Sequence, residues 1–487
     1  MEGGIHLRVT LSDYKLRLMA EKTKVGYRTN QFFFLVLTRA CQRAKEIIQA
    51  KKAPDPNGAL STEQFIENTG VDDIFSNETE ISNEAPSTCH SSEKLTMFKK
   101  IFADHFDELA PLNLRPSIPE NIERMLACGD PSKGGTLYAC PVCQQHLRFS
   151  PFHCGSRFCP SCGNLYNMRR ANAMLCKVID APHRHVTLTI PEELRDFFRL
   201  HREALDDLFS AVADTIYYAA RKVSPAENYE PGFITVLHTF GRDLKWNPHC
   251  HVLLCSMIFG NTKSASFFLP YPLLRKSFQR CLLDRLKKRY GPVFSELSSL
   301  IYKAHPNGFY VHAPEIHGST QAVIKYIGRY LGRPPIASSR IDAYDGTSVT
   351  FHYTRHEDNQ TVSETIPVMD FIKKLILHIP EKHFKMVRYY GFYSSEGAHK
   401  PQVARHNLHP KVSPEHRREL INKLTWRLAI MQVFLTDPLE CPCCGAKMKP
   451  VFFTYNGRTH FFRSWDKERA LAFRYRFLMR TSQISSA

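Results

Sequence analysis

The chain has 487 residues, 43% hydrophobic and 23% charged, which excludes an intrinsically disordered or membrane-embedded protein. The longest apolar run near the start, 32–37, is too short for a membrane span or a signal-peptide core, so we expect a cytoplasmic protein. Lys and Arg number 65 against 47 Asp and Glu, and this net charge of +18 favours a polyanionic partner such as nucleic acid.

The first part of the chain, residues 1–93, is predicted to be an appendage. Positions 51–93 are rich in Asn, Glu, Ser and Pro, a composition typical of a disordered linker. Apolar residues then recur at helical spacing from residue 97, and six of the 15 cysteines follow between 128 and 162. We therefore predict a helical, cysteine-rich domain over residues 94–178.

The next part of the chain alternates strands and helices in the order β-α-β-β-α-β-α. This order is typical of an α+β domain, in which an antiparallel sheet is flanked by helices. We predict this domain over 179–395 and a basic C-terminal region over 396–487. The predicted elements are strands at 185–190, 232–240, 249–255 and 309–313, and helices at 193–222, 272–290 and 319–331.

Two Cys-x-x-Cys pairs in the cysteine cluster stand fifteen residues apart, so that four thiolates can surround one tetrahedral ion. Arginines near the cluster indicate a nucleic-acid contact, although a solvated basic face fits them equally well. The predicted ligands of a structural Zn²⁺ are Cys140, Cys143, Cys159 and Cys162, with Cys154, Cys128 and His146 as alternates, and the arginines are Arg157, Arg169 and Arg170.

A second group of cysteines, Cys441-Pro-Cys-Cys444, has the form of one half of a zinc ribbon. No cysteine follows it, and only His460 is available downstream. The sequence leaves open whether this group binds metal.

Two His-x-His pairs differ in their context. His249 and His251 begin an apolar strand, where residues i and i+2 project from the same face and can chelate one cation. His183 and His185 stand beside a proline at a strand entry and are interpreted as structural. The third ligand is predicted to be His238 on the paired strand, although an ordinary hydrogen-bonded sheet histidine is the alternative.

A predicted helix near residue 326 carries two tyrosines. Tyr326 and Tyr330 are spaced i, i+4 and share one helix face, which in isolation would indicate core packing. Beside paired histidines on a basic chain, a phenolate that attacks a phosphodiester becomes a competing interpretation. A free phenol has a pKa of about 10, so the cations Lys325 and Arg329 would be needed to favour its anion.

These motifs together resemble the two-tyrosine rolling-circle transposases of the insertion sequence ninety-one family, within the HUH (His-hydrophobe-His) endonuclease superfamily. The resemblance covers about residues 94–450 and includes His249-Cys-His251, the cysteine cluster and the run Lys-Tyr-Ile-Gly-Arg-Tyr-Leu-Gly-Arg-Pro-Pro-Ile over 325–336. Two departures are Cys250 at the hydrophobe position and the first 93 residues, which match nothing in the family.

The resemblance implies a fold of the HUH endonuclease type and a mechanism. One tyrosine of the pair Tyr326 and Tyr330 cleaves single-stranded DNA and keeps the 5′-phosphate, and the second cleaves the target or the other element end. Mg²⁺ or Mn²⁺ is expected at His249 and His251, and Zn²⁺ at the thiolates. The DNA contacts are expected to include Lys325 and Arg329, and the protein is expected to associate with DNA.

Two other functions remain possible from the sequence. A plasmid or phage replication initiator with the same chemistry would nick an origin, and the DNA that flanks the gene would distinguish it. A zinc-containing DNA-binding protein without activity is the other alternative, and a covalent protein–DNA adduct would eliminate it.

Overall fold

The computed structural model describes residues 27–50, 97–267, 270–313, 335–355 and 358–484, except 407, 411, 414, 419–426, 428–430 and 432–436. In the described parts, no helix combines the length and apolar character needed to cross a bilayer. The helices are α1 Tyr27–Ala50, α2 Ser117–Leu126, α3 Pro160–Leu175, α4 Glu192–Leu200, α5 Ala204–Val223, α6 Tyr271–Tyr290, α7 Val293–Ala304, α8 Val368–Ile376, α9 Pro401–Ala404 and α10 Lys467–Ile484, with residues 97–104 also helical.

The strands of the described residues are β1 Gly134–Ala139, β2 Leu147–Pro151, β3 His183–Thr189, β4 Gly232–Phe240, β5 Trp246–Cys255, β6 Met257–Phe259, β7 Ser264–Ser266, β8 Val311–His312, β9 Ile341–Tyr344, β10 Ser348–Thr354, β11 Thr361–Pro367, β12 Val387–Gly391, β13 Lys449–Tyr455 and β14 Arg458–Phe461. These strands form four antiparallel sheets, with the orders β12-β4-β5-β3-β8, β14-β13-β1-β2, β11-β10-β9 and β6-β7. Short 3₁₀ helices span Asp107–Leu112, Pro131–Lys133, Ser338–Arg340 and Gly397–His399.

The five-stranded sheet is the centre of the predicted α+β domain. The combination of antiparallel sheets with helices confirms the predicted fold class. One face carries an almost continuous apolar surface, because alternate residues of each strand point the same way. On this face Leu237 pairs with Cys250 and Phe233 with Leu254, and helices α4 to α7 pack against it. These helices lie on one side of the sheet, as predicted.

The opposite face of the same sheet is covered differently along its length. Its apolar part, including Val236 and Leu253, packs against Met174 of α3 and Phe392. Because α3 belongs to the predicted cysteine-rich domain, that domain covers part of the sheet. The histidines project from this same face, because His251 pairs with Val236 and His249 with His238.

The N-terminal helix α1 belongs to the core, unlike an appendage. Ala40 and Ala44 are buried, and α1 packs against α4 and α7 beside the central sheet. This packing could not be predicted from the sequence, since a single amphipathic segment does not indicate which surface it covers. The predicted linker, 51–93, lies outside the described residues.

The regions before and after the predicted α+β domain pack against segments that are far away in the sequence. Strand β1, from the predicted domain 94–178, pairs with β13 from the predicted region 396–487. The helical residues 97–104 bury Phe98 and Phe102, and α2 buries Ile122, against Phe351 and Phe371 of the β9–β11 sheet and α8. The predicted boundaries therefore divide shared packing units, and domain limits along this chain remain a proposal.

Candidate functional site

The three predicted catalytic histidines come together at one end of the β4–β5 hairpin. His238 stands directly opposite His249, and His251 lies two residues further along the same strand face. One ligand nitrogen from each residue lies within 4.8 Å of the others, and Nε2 of His249 is 3.1 Å from Nε2 of His251. This spacing allows all three imidazoles to bind one cation.

Hydrogen bonds orient two of the rings. Nδ1–H of His249 donates to the carbonyl of Asn247 at 2.7 Å, which leaves the lone pair on Nε2, facing His251. Nδ1 of His251 is in turn 2.9 Å from Nε2 of His185 on β3. The first contact sets the tautomer of His249, and a proton on Nδ1 of His251, donated to His185, would likewise leave the Nε2 lone pair of His251 directed into the cluster.

Burial favours the neutral form of His251 and of its neighbour His185, and a histidine must be neutral to bind a metal. The pKa of His251 lies well below its usual value because the ring is buried, and the neighbouring His238, His249 and His185 add to the effect. Burial, reinforced by His312 and His249, lowers the pKa of His185 to about 3. Three imidazoles that converge in this way fit a divalent ion, and of the two expected ions Mn²⁺ accepts nitrogen ligands more readily than Mg²⁺.

The predicted grouping of the zinc ligands differs from the structure. Among the described residues the thiols form two separate tetrads, and neither contains His146. In each tetrad all four sulfurs lie within 4.8 Å of one another. The first tetrad is Cys128, Cys154, Cys159 and Cys162, and the second is Cys140, Cys143, Cys441 and Cys444.

The β1–β2 hairpin explains why the two predicted pairs do not meet. Cys140 follows the end of β1, whereas the chain reaches Cys154 only after β2 has returned to the opposite end of the hairpin, where Gly135 pairs with Pro151. Cys159 and Cys162 begin α3 near that opposite end. Sequence spacing alone does not reveal this separation, so the alternates Cys128 and Cys154 complete the first tetrad.

The predicted DNA-contacting arginines surround one tyrosine on α3. The guanidinium of Arg157 lies 5.6 Å from the ring centre of Tyr166, and Nε of Arg170 donates to the Tyr166 hydroxyl at 3.1 Å. Nε and Nη1 of Arg157 are buried and have no hydrogen-bond partner in the described parts of the chain. Burial lowers the pKa of Arg157, and the nearby Arg170 adds to this effect. A buried guanidinium without an acceptor can receive an anion.

Arg169 is exposed and lines a groove of about 380 Å³. Tyr138, Phe152 and Tyr166 also line this groove, and Cys162 of the first tetrad reaches it. Aromatic rings next to a cation are suited to stacking unpaired bases and contacting their phosphates.

His183 and His185, both interpreted as structural from the sequence, differ in their contacts. His185 contacts His251, and this contact could not be predicted because it depends on the register of β3 against β5. His183, by contrast, is hydrogen-bonded to the Ala181 carbonyl and the Tyr393 hydroxyl. The predicted residues Tyr326, Tyr330, Lys325 and Arg329 lie outside the described residues.

Comparison with known proteins decides the family. Residues 232–400 match a family described as "Putative transposase", and residues 100–190 match one described as "Transposase zinc-binding domain". The chain is 30% identical over 360 residues to the transposase for insertion sequence element IS801 of Pseudomonas savastanoi pv. phaseolicola, covering 69% of this chain and 83% of that protein. The chain belongs to the insertion sequence ninety-one family of transposases.

A second relative agrees with this assignment. The transposase is 26% identical over 370 residues to the putative transposase y4qJ of Sinorhizobium fredii (strain NBRC 101917 / NGR234), covering 70% of this chain and 90% of that protein. No solved structure matches the chain. The predicted family is therefore confirmed, as are a zinc-binding domain and DNA as the molecule on which the transposase acts.

The two family matches cover different parts of the candidate site. The transposase match, 232–400, begins at β4 and includes the three clustered histidines. The zinc-binding match, 100–190, contains all of the first cysteine tetrad. It contains only Cys140 and Cys143 of the second, because Cys441 and Cys444 lie far beyond its end.

Proposed function

We propose that this transposase nicks and rejoins single-stranded DNA at the ends of its insertion sequence through 5′-phosphotyrosine intermediates and moves the element by a rolling-circle mechanism. The observation that carries the proposal is the cluster of three histidines on the central sheet, whose ligand nitrogens lie within 4.8 Å of one another. The family to which the chain belongs and the net charge of +18 also support it.

In the proposed reaction the phenolate of Tyr326 or Tyr330 attacks the scissile phosphorus. A new bond forms between the phenolic oxygen and phosphorus, the bond from phosphorus to the 3′-oxygen breaks, and that oxygen takes a proton to become a free 3′-hydroxyl. The second tyrosine cleaves another strand in the same way. Each 3′-hydroxyl then attacks a phosphotyrosine, which restores a phosphodiester and releases the phenol without consuming ATP.

The residues of the cluster have a defined part in this proposal. His238, His249 and His251 would hold Mg²⁺ or Mn²⁺, which when bound polarises the scissile phosphate and stabilises its developing charge. The His249 and His251 rings are held with Nε2 directed to the cluster by Asn247 and His185. This preorganisation requires no rearrangement of the rings when substrate arrives.

The proposed path of the DNA follows the cations around α3. The groove that Arg169 and Tyr166 line can accept unpaired bases, and the half-buried Arg157, two of whose guanidinium nitrogens have no hydrogen-bond partner among the described residues, can pair with a backbone phosphate. Lys325 and Arg329, next to the tyrosines in sequence, are proposed to contact the strand as well.

The test is cleavage of labelled single-stranded oligonucleotides that carry the element ends, with and without Mn²⁺. His249→Ala and His251→Ala are expected to abolish nicking while binding in gel-shift assays stays close to wild type, because affinity comes mainly from Lys and Arg contacts. His238→Ala should behave alike if it is the third ligand. His183→Gln, in the same sheet but bonded to Tyr393, is the control and should still nick. Wild-type nicking in excess chelator would refute the metal role.

A further inference from the structure

Two cysteine loops from distant parts of the chain face each other beside the β1–β13 strand pair. Cys140 and Cys143 stand on one loop, and Cys441 and Cys444 on the other, up to 304 residues away in sequence. We propose that these four thiolates bind a second Zn²⁺, distinct from the one at the first tetrad, and that this ion attaches the C-terminal segment to the zinc-binding domain.

The distances between sulfurs fit a tetrahedral ion. Sγ of Cys140 is 3.4 Å from Sγ of Cys444, and Sγ of Cys143 is 3.7 Å from Sγ of Cys441. Four sulfurs that each lie ~2.3 Å from one zinc ion are separated from one another by about 3.8 Å. A disulfide would require about 2.05 Å, so the arrangement matches metal ligation better than either cross-link.

The two loops also have similar backbone hydrogen bonds, although the bond from the amide of the first cysteine spans six residues in the first loop and five in the second. In the first, the amide of Gln144 donates to the Cys140 carbonyl at 3.2 Å, and the amide of Cys140 donates to the His146 carbonyl at 3.1 Å. In the second, the amide of Gly445 donates to the Cys441 carbonyl at 2.9 Å, and the amide of Cys441 donates to the Ala446 carbonyl at 3.0 Å.

The residue after the second ligand turns each loop in the same way. Gln144 has φ of 53° and Gly445 has φ of 69°, the left-handed region that residues other than glycine seldom adopt. Each loop also begins Cys-Pro-x-Cys. Two loops of the same form that present four sulfurs to one point are typical of a zinc ribbon.

The strand register brings the two loops together. Ala139, the residue before Cys140, pairs with Lys449, so both loops lie at the same end of the paired strands. On α10, Arg476 donates to the carbonyls of Gln144 and Gln145 at 2.8 and 3.0 Å. The last helix therefore also holds the first loop in place.

The core of this C-terminal unit is small, which gives the ion a structural task. Its fully packed apolar residues are Leu137, Ala139, Val451, Phe452, Ala470 and Phe473. A core of this size contributes little stability by itself, and small units of this kind commonly depend on a metal or disulfide. Zinc binding is then part of the free energy that folds the unit against β1.

The experiment measures zinc content in the purified full-length chain under reducing conditions. Wild type should contain two zinc ions per chain, and the pair Cys441→Ser with Cys444→Ser should contain one. Cys443→Ser is the matched control, because Cys443 is exposed between the two ligands and stands outside the tetrad, so it should keep two. Cys159→Ser with Cys162→Ser should lose the other ion.

Two further readouts locate the effect, and the second is made on wild type and therefore does not depend on the folding of the variants. Hydrogen exchange of Lys449–Tyr455 should rise in the Cys441/Cys444 variant, while exchange in the central sheet stays unchanged. Wild type substituted with ¹¹³Cd should show two resonances in the range of four-thiolate sites. One metal ion per wild-type chain, two ions retained in the Cys441/Cys444 variant, or a disulfide found between the loops would each overturn the proposal.

Discussion

Nε2 of His185 lies 2.9 Å from Nδ1 of His251, and the two buried rings stack with their centroids 5.1 Å apart. Since Nε2 of His251 faces His249, a cation bound there requires the proton of His251 on Nδ1. His251 then donates to Nε2 of His185. A hydrogen bond of this kind fixes a ligand's orientation and raises its basicity, so we propose that His185 is a positioning residue.

His185→Ala is therefore expected to weaken cation affinity by about 10- to 100-fold, the usual effect of removing a partner of a metal-binding histidine. The measurement is the Mn²⁺ concentration that supports half-maximal nicking, which should rise while nicking at saturating Mn²⁺ recovers in part. His183→Gln is the control on the same strand. An unchanged Mn²⁺ requirement in His185→Ala would show that this hydrogen bond does not serve the cluster.

Local pattern predicts much of the central sheet because strand and helix periodicity are encoded within a few residues. The predicted strand 232–240 has the bounds of β4, and the predicted helix 272–290 differs from α6 by one residue. The same pattern predicts that His249 and His251 share a face, and the β4–β5 pairing adds His238.

Long-range pairing is what the sequence does not encode locally. The division of the cysteines into two tetrads depends on β1 pairing with β13, and no periodicity relates segments this far apart. The repeated Cys-Pro-x-Cys form of the loops at Cys140 and Cys441 is the one feature of the sequence that could have indicated their partnership. The contact of His185 with His251 likewise depends on strand register.

The buried guanidinium of Arg157 leads to a prediction about DNA affinity. Arg157→Ala should weaken binding of single-stranded DNA and reduce the salt slope of log affinity by about one, because one phosphate contact is lost. The measurement is fluorescence anisotropy of a labelled oligonucleotide over a series of salt concentrations. Arg355→Ala is the control, since this arginine pairs with Asp358 at 2.7 Å. If both variants had the wild-type slope, Arg157 would not contact phosphate.

His378 gives a prediction about stability and pH. Its Nε2–H donates to the Leu244 carbonyl and its Nδ1 accepts from the Thr239 hydroxyl, both at 3.1 Å, so one neutral tautomer satisfies both partners. Burial lowers the pKa of His378 to about 4, an effect that the hydrogen bond to Leu244 partly offsets. The unfolded chain binds this proton near pH ~6.5, so the stability of the folded state falls as pH drops from there towards 4.

When the pH falls from 7 to 5, the unfolding free energy of wild type should decrease by about 2 kcal/mol because of His378. His378→Gln removes this group, so its stability should fall less over the same interval, whatever its stability at pH 7. Urea unfolding followed by tryptophan fluorescence is a suitable measurement, because Trp246 stacks on His378 with centroids 5.9 Å apart. Equal losses in both proteins would mean that His378 is protonated in the folded state.

The proposed chemistry predicts different results for single and double changes at the tyrosines. On the predicted helix, residues spaced i, i+4 would lie ~6 Å apart along the axis, so we propose that Tyr326 and Tyr330 reach one site in turn. Each single change to Phe should impair transposition, because two cleavages need two phenols. Phe keeps the ring and removes only the hydroxyl, so a packing role would predict little effect from either change.

The most direct test of the phosphotyrosine mechanism is denaturing electrophoresis of a labelled single-stranded element end after incubation with the protein and Mn²⁺. Four proteins are compared: wild type, Tyr326→Phe, Tyr330→Phe and the double variant. We predict a covalent protein–DNA adduct with wild type and with at least one single variant, and none with the double variant. An adduct that persists in the double variant would place the nucleophile elsewhere and contradict the proposed mechanism.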